Sequence, residues 1–85
     1  MAHPLHLRWR GSREAAAFAG RLRELRLRRG WSQSQLAFVV GISRQTVFLL
    51  ESKRVPPSWP TVLALCEVFG VTPQAFMEKP TPQSP

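Results

Sequence analysis

Residues 33 to 52 read QSQLAFVVGISRQTVFLLES, and their spacing decides the fold. Leu36, Val40, Ile42, Val47 and Leu50 recur where two short helices would turn their faces inward. Ala37 sits where those helices cross, a position that a larger side chain would fill with a clash. Gly41 falls at the joint, where a positive φ is cheap for glycine and costly for other residues. Ser43 follows as the N-cap of the second helix. A generic pair of antiparallel helices could use part of this pattern. A second helix held proud of the body is also the device by which proteins reach base edges in the DNA major groove.

Outward from this stretch the chain reads as helix throughout. Ser12 can cap a helix over residues 13 to 29, with Ala15, Phe18, Leu22 and Leu25 on one face and Gly30 as its stop. Gly20 interrupts it at a cost of about 1 kcal/mol relative to Ala, so the helix is expected either to bend there or to begin in earnest after it. Ser32 caps a second helix over residues 33 to 40, and residues 43 to 52 hold the third. Pro56 and Pro57 enforce an extended link. Ser58 caps a fourth helix through Phe69, with Pro60 tolerated in the first turn and Val62, Leu65, Cys66 and Phe69 inward. Gly70 stops it, and Thr72-Pro73 opens a short fifth helix with Phe76 inward. The expected fold is all-α, with five helices and no strand.

Eighty-five residues allow one small domain. The expected organisation is a basic arm over residues 1–12, partly disordered, a helical domain over 13–78, and a disordered proline-rich tail over 79–85. The arm carries Arg8, Trp9 and Arg10 but shows no clear period, and Pro4 and Gly11 read as helix breakers. It is either an arm that touches the DNA backbone or minor groove, or a loose solvated terminus. His3 and His6 supply two metal-ligand types, and two ligands without a third do not make a site.

The net charge is +7, from twelve Lys and Arg against five acidic residues. Positive excess of this kind favours nucleic acid through phosphate contacts and counterion release, with acidic membranes and acidic proteins as competitors. The one cysteine, Cys66, lies on an apolar face and reads as a small buried hydrophobe. No internal disulfide is possible, so a reducing cytoplasm is the expected compartment. No apolar run reaches membrane-spanning length and the N-terminus lacks an apolar signal core, so neither a membrane span nor secretion is expected. No paired carboxylates, nucleophile–base set or phosphate-cradling loop appears, so the expectation is a non-enzyme without metal or cofactor.

At 100° per residue, the third helix divides into two arcs. Thr46, Val47, Leu50 and Glu51 fall in the core arc, and Arg44, Gln45, Phe48, Leu49 and Ser52 face out. Arg makes bidentate bonds to guanine O6 and N7, and Gln to adenine N6 and N7. Phe48 and Leu49 offer apolar contact, for example to thymine methyls. Arg44, Gln45, Phe48 and Leu49 are therefore the expected base-reading set, with a phosphate contact as the alternative for Arg44. Gln33, at the positive end of the second helix, is expected at a backbone phosphate, as are Ser43, Ser52, Lys53 and Arg54.

LRELR before Gly30, then SQxQLA, GISRQTV, Glu51, Pro56-Pro57-Ser58 and LALCEVFGV together resemble the Cro/Xre-type (lambda-repressor-like) helix-turn-helix DNA-binding domains. The resemblance covers roughly residues 18 to 77. It implies sequence-specific binding of double-stranded DNA by a small transcriptional regulator, typically a repressor acting as a homodimer. It also implies that Gln33 buttresses the recognition helix and that Arg26 pairs with Glu51 to lock that helix to its scaffold. Antitoxins and restriction–modification controllers are alternatives with the same fold. A module that has kept the fold but binds protein instead of DNA is another. Phe38, Val39, Phe48 and Leu49 favour it, because together they make the expected DNA face apolar. Leu27, Phe38, Val39, Phe48, Leu49 and Trp59, apolar where partial exposure is expected, are candidates for a homodimer interface, which is expected through the fourth and fifth helices with Phe48 and Leu49 left to DNA.

Overall fold

The computed structural model describes residues 5 to 77, with side chains from residue 8 onward. The histidine pair and the proline-rich tail therefore lie outside the described side chains. Six helices follow in order: α1 Leu5–Arg10, α2 Arg13–Arg28, α3 Gln33–Val40, α4 Arg44–Glu51, α5 Trp59–Phe69 and α6 Gln74–Met77. Among the described residues there is no strand. Four helices lie where the sequence pattern predicts them, α6 is the expected short fifth, and α1 is additional.

Helix α1 corrects the reading of residues 1 to 11 as a stretch without helical period. Six residues are too few for periodicity to show, and such a helix is marginal unless something holds it. Two things do. Trp9 is half-buried against the core, its ring 6.4 Å from that of Phe18. Ser12 joins α1 to α2, since its hydroxyl donates to the Trp9 carbonyl at 2.8 Å and accepts from the Ala15 N–H at 3.0 Å. Gly11, read as a breaker, stands at the joint between the two helices.

The starts of α3, α4 and α5 follow from hydroxyl caps. Ser32 forms a reciprocal capping box with Gln35, at 3.1 and 2.7 Å. Ser43 accepts from the Thr46 N–H at 3.0 Å, and Ser58 from that of Thr61 at 3.3 Å. Helix α2 runs unbroken through Gly20 and ends at Arg28, with Arg29 as its cap, one residue short of the expected end.

Gly41 makes the turn between α3 and α4. Its φ is 89°, and its N–H and that of Ile42 both return to the Ala37 carbonyl, at 2.8 and 3.0 Å. A Cβ at Gly41 would meet no atom within 4 Å, so the constraint is the backbone angle and not crowding.

The core is one cluster. Phe18 and Leu22 of α2, Leu36 and Ala37 of α3, Val47 and Leu50 of α4, Leu65, Cys66 and Phe69 of α5 and Phe76 of α6 are all buried. Val40, Ile42, Val62 and Leu25, also predicted inward, are half-buried against it. Phe18 packs on Phe76 with ring centroids 5.1 Å apart. Two arginines tie chain segments together outside the core. Arg21 donates from Nε to the Ala75 carbonyl at 3.0 Å, which fixes α6 against α2. Arg29 stacks over Trp31 and Phe69, at 5.3 and 5.4 Å from the ring centroids.

Candidate nucleic-acid interface

Glu51 closes α4 and draws three helices to one carboxylate. Arg26 of α2 reaches it in bidentate fashion, Nε to Oε2 at 2.6 Å and Nη2 to Oε1 at 3.0 Å. Gln33, the first residue of α3, donates from Nε2 to Oε1 at 3.1 Å. The third guanidinium nitrogen of Arg26 donates to the Trp31 carbonyl at 2.8 Å. The two charged side chains are only 10% and 6% exposed, so the carboxylate is well shielded from water. The Glu51 hydrogen bond holds the Arg26 guanidinium above its ordinary pKa, against the opposing pull of burial. This arrangement positions α4 relative to α2 and α3 before any ligand arrives.

With α4 fixed in this way, Arg44, Gln45 and Phe48 project to solvent and together line a hollow of about 290 Å³. Phe48 is 45% exposed, and the Arg54 guanidinium lies 5.6 Å from its ring centroid. Leu49, placed with these three by the sequence, is half-buried and does not line the hollow. On the helical wheel it falls at the edge of the outward arc, next to Thr46, which is itself half-buried.

The expected backbone-contacting residues occupy different situations. Ser43 is exposed, but its hydroxyl caps α4 and hydrogen-bonds the Thr46 hydroxyl at 2.7 Å. Ser52 turns its hydroxyl back on its own helix, donating to the Phe48 carbonyl at 2.7 Å. Lys53 is exposed in the left-handed region, with φ 64°, and Arg54 is exposed beside it. Gln33 has one side-chain N–H committed to Glu51. Arg23, which the sequence pattern did not mark, lies one turn before Arg26 and lines a cleft with Gln33, Phe48 and Ser52. Its three-residue spacing from Arg26 on α2 is the signal that could have marked it.

Burial pushes the Cys66 thiol above its usual pKa, which keeps it protonated and unreactive. No group of three or more His, Cys, Asp or Glu that could hold a metal occurs among the described residues.

A helix-turn-helix whose second helix is exposed and rigidly placed is a DNA-reading scaffold. The chain belongs to the helix-turn-helix domain family of the Cro/Xre type, and residues 17–77 match the family pattern. It is similar to the HTH-type transcriptional regulator YgzD of Bacillus subtilis (strain 168). The two are 39% identical over 51 residues, which is 60% of this chain and 77% of that protein. The fold is also similar to that of the restriction-modification controller protein C.AhdI from Aeromonas hydrophila. There the TM-score is 0.70 at 32% identity, over 76% of this chain and 98% of the other.

Proposed function

We propose that the protein is a sequence-specific regulator of transcription that binds double-stranded DNA, acts as a repressor and does no catalysis. The observation that carries this reading is the pairing of an exposed Arg44–Gln45–Phe48 surface with a buried Arg26–Glu51–Gln33 lock beneath it. Arg44 and Gln45 read base edges and Phe48 contacts thymine methyls, while Leu49 contributes at the rim. Gln33, Lys53 and Arg54 hold backbone phosphates, and Ser43 and Ser52 contribute at the two ends of α4. No described helix is long and apolar enough to cross a membrane, and the cytoplasm is the proposed compartment.

One domain of this size reads half a site. The proposed active form is a homodimer reading two half-sites about 34–36 Å apart. Similarity to a restriction-modification controller makes control of such a gene pair the favoured biological setting within this reading.

The test is a binding series on cognate and random duplexes. Arg44→Ala and Gln45→Ala should each cut discrimination between them by about 1–3 kcal/mol, the worth of one bidentate base pairing. Lys53→Ala and Arg54→Ala should weaken both duplexes about equally. An unchanged cognate-to-random ratio in Gln45→Ala would overturn the base-reading assignment.

A second reading rests on one observation. Phe38 is 87% exposed and shares a hollow with Trp31, Ser34, Gln35 and Val39, an apolar surface of the kind that partner proteins cover. Sedimentation of wild type and Phe38→Ser, with and without duplex, separates the two readings. Loss of self-association in Phe38→Ser with DNA affinity intact would favour a protein-binding module.

A further inference from the structure

The cleft between α2 and α4 holds a charge that the Arg26–Glu51 lock does not neutralise. Arg23, Arg26, Gln33, Phe48, Glu51 and Ser52 line it, and its volume is about 350 Å³. A water molecule takes up roughly 30 Å³, so a phosphodiester group with several waters fits. Arg26 and Glu51 cancel each other. Arg23 is then the uncompensated charge.

Its neighbours on α2 show why Arg23 differs. Arg21 pairs with Glu24 and holds the Ala75 carbonyl. Arg28 pairs with Glu24 from the other side, and Arg26 pairs with Glu51. Arg23 is exposed and has no hydrogen-bond or ion-pair partner among the described residues. Phe48 is the wall shared by this cleft and the Arg44–Gln45 hollow. A group held in the cleft therefore lies directly beside the surface that reads bases.

We infer that Arg23 is a further DNA-contacting residue, whose guanidinium takes a backbone phosphate at the mouth of this cleft. The inference rests on the DNA-binding reading and extends it from α3 and α4 to the long helix α2. The contact sets register, since a phosphate clasped from α2 fixes how far α4 advances into the groove. It carries no base information, so it raises affinity for all sequences alike.

Salt titration of wild type, Arg23→Gln, Arg23→Lys and Arg13→Gln tests it. Arg13 is also exposed on α2, about 15 Å along the helix from Arg23, beyond a Debye length of roughly 8–10 Å. Arg13→Gln thus removes the same charge away from the cleft. The slope of log Kobs against log salt should fall by about 0.9 in Arg23→Gln and clearly less in Arg13→Gln. Arg23→Lys should restore most of it, and the cognate-to-random ratio should stay constant. Duplexes carrying single neutral methylphosphonate links should reveal one position that weakens wild type and leaves Arg23→Gln unaffected.

Equal slopes in the two Gln variants, or no such coupled position, would overturn the inference while leaving DNA binding intact. Failure of the wild type to bind any duplex would remove the DNA-binding reading as well. Inorganic phosphate forms the other arm. A saturable shift of the Arg23 Nε–H resonance with millimolar phosphate, without methylphosphonate coupling, would assign the cleft to a free anion instead.

Discussion

Phe18, near the start of α2, is buried against Phe76 and Trp9, whereas Arg26, two turns further along the same helix, is buried against Glu51, a carboxylate that Gln33 also holds. One end of α2 is thus held by ring packing with the flanking helices α1 and α6. The other is held by a charged network that reaches α3 and α4. Apolar packing is undirected, and its strength follows contact area. The charged network has fixed angles and distances, and it sits next to the helix whose placement matters for reading DNA. The difference separates stability from positioning along a single helix.

The largest expected effects set the two ends side by side. Glu51→Ala leaves Arg26 buried without its carboxylate and should cost about 3–5 kcal/mol in urea denaturation. Phe18→Ala should cost a similar amount, about 3–5 kcal/mol, because it removes apolar burial and opens a cavity. The double mutants distinguish them. Arg26→Ala with Glu51→Ala should cost well below the sum of the singles, because the stranded charge is gone. Phe18→Ala with Phe76→Ala has no such charge to remove, and it should show no comparable recovery. Additive losses at the ion pair would mean that the two side chains do not share their energy, and the contrast would collapse.

Gly41→Val comes next, at about 1–3 kcal/mol, because a branched residue must hold φ near 89°. A variant that stays folded should still lose DNA affinity, since the angle between α3 and α4 is set there.

Trp9→Ala should cost about 1–2 kcal/mol, below the ~3–5 kcal/mol of a fully buried tryptophan, because Trp9 is half-buried. DNA affinity measured well below the melting temperature should be unchanged, since Trp9 lies at the apolar end of α2. A large drop in affinity would show that the two ends are coupled.

The smallest effect is expected from Trp9→Phe. The indole Nε1–H is buried without a hydrogen-bond partner among the described residues, so its removal forfeits no bond there. Thermal melting should move by only a few degrees, in either direction.

The two ends also differ in how far the sequence revealed them. The α3–α4 unit uses residue types with narrow meanings: Gly41 at a left-handed turn, Ser32 and Ser43 at caps, Ala37 at a crossing. Each is constrained by local backbone geometry, so each can be recognised without knowing the rest of the fold. The position of Arg26 and Glu51 is legible only through family resemblance, since 25 residues separate them. Helix α1 was not legible at all. What holds it is tertiary, a tryptophan on Phe18 and a serine shared by two helices. Leu49 failed for a related reason. A wheel assigns directions but not the width of the covered arc, and edge positions fall either way. For Arg23 the sequence offers only the three-residue spacing from Arg26, and its lack of a partner beside the paired Arg21, Arg26 and Arg28 exists only in three dimensions.

Helices α3 and α4 have eight residues each. Isolated helices shorter than about 12–15 residues are marginal in water. The reading helix therefore has no existence apart from the docked domain, and no half-folded chain offers a usable surface. Occupancy of an operator is then governed by the folded fraction as well as by intrinsic affinity, with the apparent Kd rising as that fraction falls. Near the melting temperature the domain acts as a thermometer: warming empties the operator steeply, at a set point that core mutations far from the DNA can move.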